Sequence, residues 1–184
     1  MSGHSLVLRL SVIGAVLLVP AIADAQWSVG ADASAVLPLS EEETHVGWMA
    51  GLHAGYRWPL GGLRIGPELG GIYGGFSPVE LAHKRVYSFY AGGRAVLEIS
   101  DLVSPYAYIH LGYGVAKTDN LYDFEDGFRS IMASGMLVDA TVGACFRIAG
   151  TIHAGPQVGF ATIEPGDCFC ARWLHAGAAV SLDF

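Results

Sequence analysis

The sequence predicts an all-β fold, an eight-stranded antiparallel up-and-down barrel that spans a membrane. Three observations predict it: the chain begins with an export signal, it is unusually apolar for an exported protein, and its apolar residues recur at every second position. A bilayer offers no partners for backbone polar groups. A chain that crosses one without apolar helices must therefore close its strands into a barrel.

The export signal occupies residues 1–25. Arg9 precedes the apolar run 10–19, and Ala23 and Ala25 supply the small residues of a cleavage site. The apolar run is shorter than the ~20 residues of a membrane-spanning helix, which disfavours an uncleaved anchor. We expect residues 1–25 to be removed and residues 26–184 to form one barrel domain.

The composition of the chain narrows its class further. Hydrophobic residues make up 52% of the sequence and charged residues only 15%, with 25 glycines. After the signal, no stretch approaches the ~18 uninterrupted apolar residues that would predict a helical span. The net charge of −7 argues against nucleic acid as a partner. A lipid-facing barrel is the expected way to place so much apolar surface.

Eight segments alternate small or polar residues with large apolar ones, which is the pattern of transmembrane strands. They lie at 27–37, 46–58, 63–75, 86–99, 105–117, 131–148, 151–163 and 171–184. The intervening connections are short at 59–62, 101–104 and 149–150. They are long at 38–45, 76–85, 118–130 and 164–170. Long outside loops and short periplasmic turns produce this alternation, so both ends of the mature chain are expected in the periplasm.

Each segment assigns one of its faces to lipid, because a shift of one residue would exchange the two faces. In the second segment Trp48 and Leu52 share the bulky face, opposite His53 and Arg57. The aromatic residues of the bulky faces fall at two levels, Trp27, Trp58, Phe146 and Phe184 at one and Trp48, Tyr73, Tyr87, Tyr113 and Phe160 at the other. Two aromatic girdles are typical of membrane barrels. A soluble ligand-binding barrel of lipocalin type would need the reverse arrangement of polar and apolar faces.

With its export signal, its eight alternating segments and its final segment AVSLDF, the chain resembles the small outer-membrane barrels of the OmpA and OmpX type. Phe184, Leu182 and Val180 match the C-terminal pattern that the outer-membrane assembly machinery recognises. The resemblance implies a bacterial outer-membrane location, with lipid, lipopolysaccharide and that machinery as partners. The OmpA branch adds a periplasmic peptidoglycan-binding domain, which is not expected here.

The inward positions of the third and fourth segments carry charges of both signs. If facing residue numbers sum to 162, Arg64 faces Glu98 and Glu68 faces Arg94. Opposite charges directly across a ladder attract, so one register satisfies both pairs. The register leaves one conflict, because Arg57 would face Arg64 across the 59–62 turn and Glu98 would have to serve both arginines.

Looser alignments place His110 near Asp139, and His153 near Asp183 or Ser181. The interior of an eight-stranded barrel is only wide enough for side chains to fill it. We therefore expect these charged residues to form an ion-pair network that plugs the barrel. The alternative is a small channel with charged residues at its constriction.

Two prolines, Pro67 and Pro156, fall inside predicted strands. Proline cannot donate to a ladder, and a closed barrel has no free edge to accommodate it. Each proline therefore predicts a bulge or a missing ladder bond.

Some eight-stranded outer-membrane barrels are lipid A-modifying enzymes, which is the main functional alternative. The deacylase type uses a histidine followed two residues later by serine, whereas here His153 and His175 are each followed by alanine and glycine. Both histidines are also predicted to point into the barrel, away from lipid. We expect no catalytic residues, no enzymatic activity and no cofactor.

The predicted outer loops carry the remaining candidates. Cys168 and Cys170 lie in the fourth loop, and the barrel height separates them from Cys145. Their redox state stays open, and no metal site is predicted. The third loop is acidic and carries the aromatic residues Tyr122, Phe124 and Phe128. Aromatic residues on long loops are candidate contact points for an extracellular partner.

Overall fold

In the computed structural model, eight antiparallel strands form one closed barrel, as predicted. The structure describes residues 26–39, 46–79, 82–120, 130–164 and 171–184. The strands are β1 Gln26–Pro38, β2 Gly47–Leu60, β3 Leu63–Val79, β4 Ala82–Leu97, β5 Val103–Asn120, β6 Ser130–Ala149, β7 Ile152–Glu164 and β8 Ala171–Asp183. No helix long and apolar enough to cross a membrane occurs in these ranges.

Three short connections lie at one end of the barrel, which we call the short-turn end. They follow β2, β4 and β6. Gly61 and Gly150 have φ angles of 67° and 52°, a left-handed conformation that glycine adopts without steric cost. At the opposite end, the loop end, the residues between strands lie outside the described ranges, apart from Leu39 and Val46.

The connection predicted at 76–85 is much shorter in the structure, so its predicted bounds are wrong. β3 continues to Val79 and β4 begins at Ala82, with an irregular register between Phe76 and Val79. Pro78 and the basic residues after it give this segment the composition of a loop. Ladder hydrogen bonds join backbone groups, so pairing continues through it despite that composition.

Each strand pairs with its sequence neighbour, and β1 pairs with β8 to close the barrel. Following cross-strand partners once around from Ser28 leads back to β1 at Pro38. This stagger is what tilts the strands of a closed barrel. The bulky and polar faces of β2 and β8 point outward and inward as the alternation predicts.

Both in-strand prolines coincide with interruptions of a ladder, which confirms the predicted irregularities. The β2–β3 ladder passes from Glu68 directly to Ile65, so Pro67 has no partner on β2. The β6–β7 ladder passes from Gln157 to Ala154 and skips Pro156 in the same way. The missing donor of each proline therefore falls where the ladder is already open.

Candidate functional site

The middle of the barrel holds a buried cluster of charged side chains around Glu68. Arg94 Nη2 donates to Glu68 Oε1 at 3.0 Å, and Arg94 Nε lies 2.8 Å from Oε2. On the other side, His110 Nε2 lies 3.0 Å from Glu68 Oε1. All three side chains are buried. Buried charges need partners of opposite sign to offset their loss of water, and this geometry provides them at contact distance.

The predicted register between β3 and β4 is wrong by two residues, although Glu68 and Arg94 do meet. Glu68 lies opposite Gly92, and Arg94 lies opposite Gly66. Each long side chain thus faces a glycine and reaches its partner diagonally. An interior this narrow has little room for two long side chains placed directly opposite each other.

His110 connects this cluster to side chains of β6 and β8. His110 and Asp139 are direct cross-strand partners, with Nδ1 and Oδ2 3.7 Å apart. Asp139 Oδ1 accepts a hydrogen bond from Thr141 Oγ1 at 3.0 Å and lies 3.2 Å from His175 Nε2. We call this connected set the central network: Glu68, Arg94, His110, Asp139, Thr141 and His175.

Aromatic rings fill the space beside the central network. His110 stacks between Tyr90 and Tyr108, with ring centroids 4.0 and 4.1 Å away. The guanidinium carbon of Arg94 lies 4.9 Å from the ring centre of Tyr106 and 5.0 Å from that of Tyr108. Aromatic faces attract cations, so the rings support the charges as well as filling the barrel. No role was predicted for these tyrosines from the sequence, although their inward-facing positions on β4 and β5 are a signal that could have identified them.

A second charged cluster lies at the short-turn end, around Asp183. Arg57 Nη1 lies 3.4 Å from Asp183 Oδ1, while Arg64 Nη1 and His153 Nε2 lie 3.6 and 3.7 Å from Oδ2. Arg64 also pairs with Glu98 at the rim. The conflict expected between Arg57 and Arg64 is resolved by Asp183, which serves both arginines. Arg57 and Asp183 belong to β2 and β8, which are not neighbours, so hairpin registers could not pair them.

A chamber of about 10 Å³ remains inside this second cluster. Arg57, Arg64 and Asp183 line it, together with His153 and Cys145. A cavity needs roughly 10–15 Å³ to hold one water molecule. This chamber therefore has room for about one water molecule.

Large apolar side chains, together with the buried Lys84 opposite Phe76, fill the interior at the loop end, beyond the charged residues that were predicted to plug the barrel. Trp173 and Phe76 pack edge to face there, with ring centroids 5.9 Å apart. We call this cluster the apolar plug: Val36, Met49, Ile72, Phe76, Val86, Tyr90, Ala116, Leu137, Ala161, Ile163, Ala171 and Trp173. Buried apolar packing excludes water and ions as effectively as a salt-bridged network.

The outer surface of the barrel carries exposed large apolar residues on all eight strands. Its aromatic residues lie at the two predicted levels, and Trp48, Tyr73, Tyr87 and Tyr113 are exposed near the loop end. At the other end, Trp27 packs edge-on against Tyr56 with centroids 5.0 Å apart. Exposed apolar surface of this extent is typical of a surface that contacts lipid.

The contacts of His175 differ from those of a histidine that activates a nucleophile. His153 and His175 point into the barrel, as predicted. Thr141 Oγ1 lies 3.1 Å from His175 Nε2, but the same ring nitrogen also contacts Asp139. A nucleophile and its orienting group would need different ring nitrogens. Within the described ranges, no group of three His, Cys, Asp or Glu residues is placed to hold a metal ion.

The remaining candidates divide between described and undescribed residues. The loop aromatics Tyr122, Phe124 and Phe128 lie outside the described residues, as do Cys168 and Cys170. Phe184, Leu182 and Val180 are outward-facing on or just after β8. Their role as an assembly signal stays a prediction.

Solved structures of other proteins are similar to this arrangement, and two of them illustrate the likeness. The crystal structure of Neisserial surface protein A superposes with a TM-score of 0.65 at 16% identity, covering 86% of this chain and 97% of that one. Ail of Yersinia pestis, in complex with the heparin analogue sucrose octasulfate, gives a TM-score of 0.51 at 16% identity, covering 87% and 97%. The chain has the fold of a small outer-membrane barrel. At this identity the likeness concerns the fold alone. No protein-family model matches the sequence, and no curated protein does.

Proposed function

We propose that the chain is an integral protein of the bacterial outer membrane that acts through its surface and has neither pore nor enzymatic function. The observation that carries this proposal is the distribution of polarity. Buried ion pairs fill the middle and the short-turn end, and large apolar side chains cover the outside. That arrangement is stable in a bilayer, whereas in water it would expose its apolar surface.

Because side chains fill the interior, we place the proposed function in the loops. The apolar plug, the central network and the cluster around Asp183 occupy successive levels of the barrel. We assign the loop end to the cell exterior, because outer-membrane barrels place their short turns in the periplasm. The connection 121–129 then belongs to the extracellular side, and Tyr122, Phe124 and Phe128 within it are the proposed contacts for an extracellular partner.

This topology can be tested with epitope tags on intact cells. A tag inserted between Glu125 and Asp126 is expected to bind antibody on intact cells. A matched tag between Gly150 and Thr151 is expected to bind only after the outer membrane is permeabilised. Heat-dependent gel mobility of both proteins controls for folding. Labelling of the 150–151 tag alone on intact cells would contradict the proposed orientation and the surface role of the loop.

A further inference from the structure

A row of cross-strand neighbours on the outer face combines an aromatic, a glycine and two basic residues. Filling the interior of the barrel does not explain this combination. Trp48 pairs with Gly75, Gly75 pairs with Arg85, and Arg85 pairs with Lys117. The row lies near the loop end, beside the aromatic girdle. Trp48 and Arg85 alternate with the inward residues Met49 and Lys84 and are exposed on the lipid-facing side.

The absence of a side chain at Gly75 opens a groove in this row. Trp48 and Arg85 stand on either side of Gly75, and Val46 and Tyr73 complete the outer lining of the groove. Its floor reaches the inward residues Gly47, Phe76 and Lys84. Its volume is about 330 Å³. A Cβ atom at Gly75 would lie 3.2 Å from Nε1 of Trp48, so the indole leans over the glycine. Trp48 is held there by edge-on packing against Tyr73, with centroids 5.4 Å apart.

The charges of the row favour an anion. Arg85 and Lys117 lie directly opposite each other on neighbouring strands. Like charges in that position repel, and an anion bound between their heads removes the repulsion. Lys117 also takes part in another interaction, so Arg85 is the side chain on which the site depends most. A guanidinium matches two oxygens of a phosphate with two parallel hydrogen bonds.

The position of the groove identifies the source of that phosphate. We propose that it binds the phosphorylated headgroup of an outer-leaflet glycolipid, with the phosphate on Arg85 at the wall of the groove and on Lys117, the cross-strand partner of Arg85 beside the groove. Trp48 and Tyr73 contact the adjoining sugar and acyl region. The inference rests on the proposed function, because it needs the loop end at the outer leaflet. Aromatic girdles mark the headgroup level of a membrane, which brings a lipid phosphate to the height of Arg85. Free phosphate would leave the aromatic wall unused.

The site can be tested by native mass spectrometry of the barrel folded in detergent, titrated with bisphosphorylated lipid A or with its dephosphorylated form. We expect one bound phosphorylated lipid per barrel. R85Q is expected to weaken binding about tenfold or more, as loss of a bidentate charge-assisted contact predicts. K117Q should weaken it less, and G75L should weaken it by filling the groove. The matched control is R172Q, which removes another exposed arginine at the loop end of β8.

Three results would overturn the site: equal binding by R85Q and R172Q, equal binding of dephosphorylated lipid A, or displacement of the lipid by an equal concentration of inorganic phosphate. Heat-dependent gel mobility of every variant separates this failure from failure of the proposed function. If all variants are folded barrels that insert into vesicles but none binds the lipid, only the glycolipid site is lost.

Discussion

Replacing Glu68 by alanine is expected to destabilise the barrel more than any other single charge removal in the interior. Glu68 is the shared partner of Arg94 and His110, and its side chain is 1% exposed. Breaking a buried ion pair leaves an uncompensated charge and costs about 3–5 kcal/mol. We expect a loss of that size in the free energy of unfolding, measured by urea titration of the barrel in detergent with tryptophan fluorescence.

Glu98 provides the matched control, because it also pairs with an arginine but its side chain is 41% exposed. Glu98→Ala should cost no more than about 1 kcal/mol, the usual value for exposed pairs. The double variant Glu68→Ala/Arg94→Ala should be less destabilised than the sum of its single variants, since it removes both charges. Equal losses for Glu68→Ala and Glu98→Ala would contradict the role assigned to the central network.

Replacing Trp173 by alanine should have a comparably large effect through packing. Trp173 is the largest fully buried side chain of the apolar plug and packs against Phe76. Truncating a buried tryptophan typically costs about 3–5 kcal/mol, because the space left behind does not close completely. The same urea titration measures this loss. Trp173→Phe keeps most of the ring volume and should cost less than about 1.5 kcal/mol.

The neighbouring residue Leu174 is the control for this substitution, since it lies on the same strand but faces outward and is 42% exposed. Leu174→Ala should change stability in detergent far less than Trp173→Ala. The plug is also expected to seal the barrel, so the unmodified protein should give no conductance steps in planar bilayers. Discrete steps from the folded wild-type barrel would contradict the sealed interior.

The strands and their lipid-facing sides could be predicted because the two faces differ strongly in the sequence. In β2 and β8 every inward position except Met49 and Trp173 is small, polar or charged, while most outward positions are bulky, so period two is clear over most of each strand. The two prolines were informative for a related reason: a missing backbone donor must fall at a ladder interruption wherever the strand is placed.

The contacts inside the barrel were less predictable. Hairpin registers relate only neighbouring strands, whereas Glu68 to His110 and Arg57 to Asp183 each skip a strand. The stagger that brings such residues together is a property of the closed barrel. Pairing opposite charges predicted the right partners on β3 and β4 but the wrong register. The same two charges can meet either directly across the ladder or diagonally, so the pairing does not distinguish the two registers.

The apolar plug could not be predicted from the sequence, because near the loop end the two faces of a strand no longer differ in hydrophobicity. Trp173 faces inward while its neighbour Leu174 faces outward, and Met49 alternates with Trp48 in the same way. Apolar residues on both faces leave no sign of which side is buried in protein and which contacts lipid. Only closure of the barrel shows that the inward set meets in one cluster.

The central claim is that this barrel, with its buried ion pairs and its apolar outer surface, resides in the outer membrane. Membrane fractionation combined with heat-dependent gel mobility tests it most directly. We expect the protein in the outer-membrane fraction, migrating differently before and after boiling, because a closed barrel resists cold detergent. Recovery of the protein wholly in the soluble periplasm, with the same mobility before and after boiling, would contradict the claim.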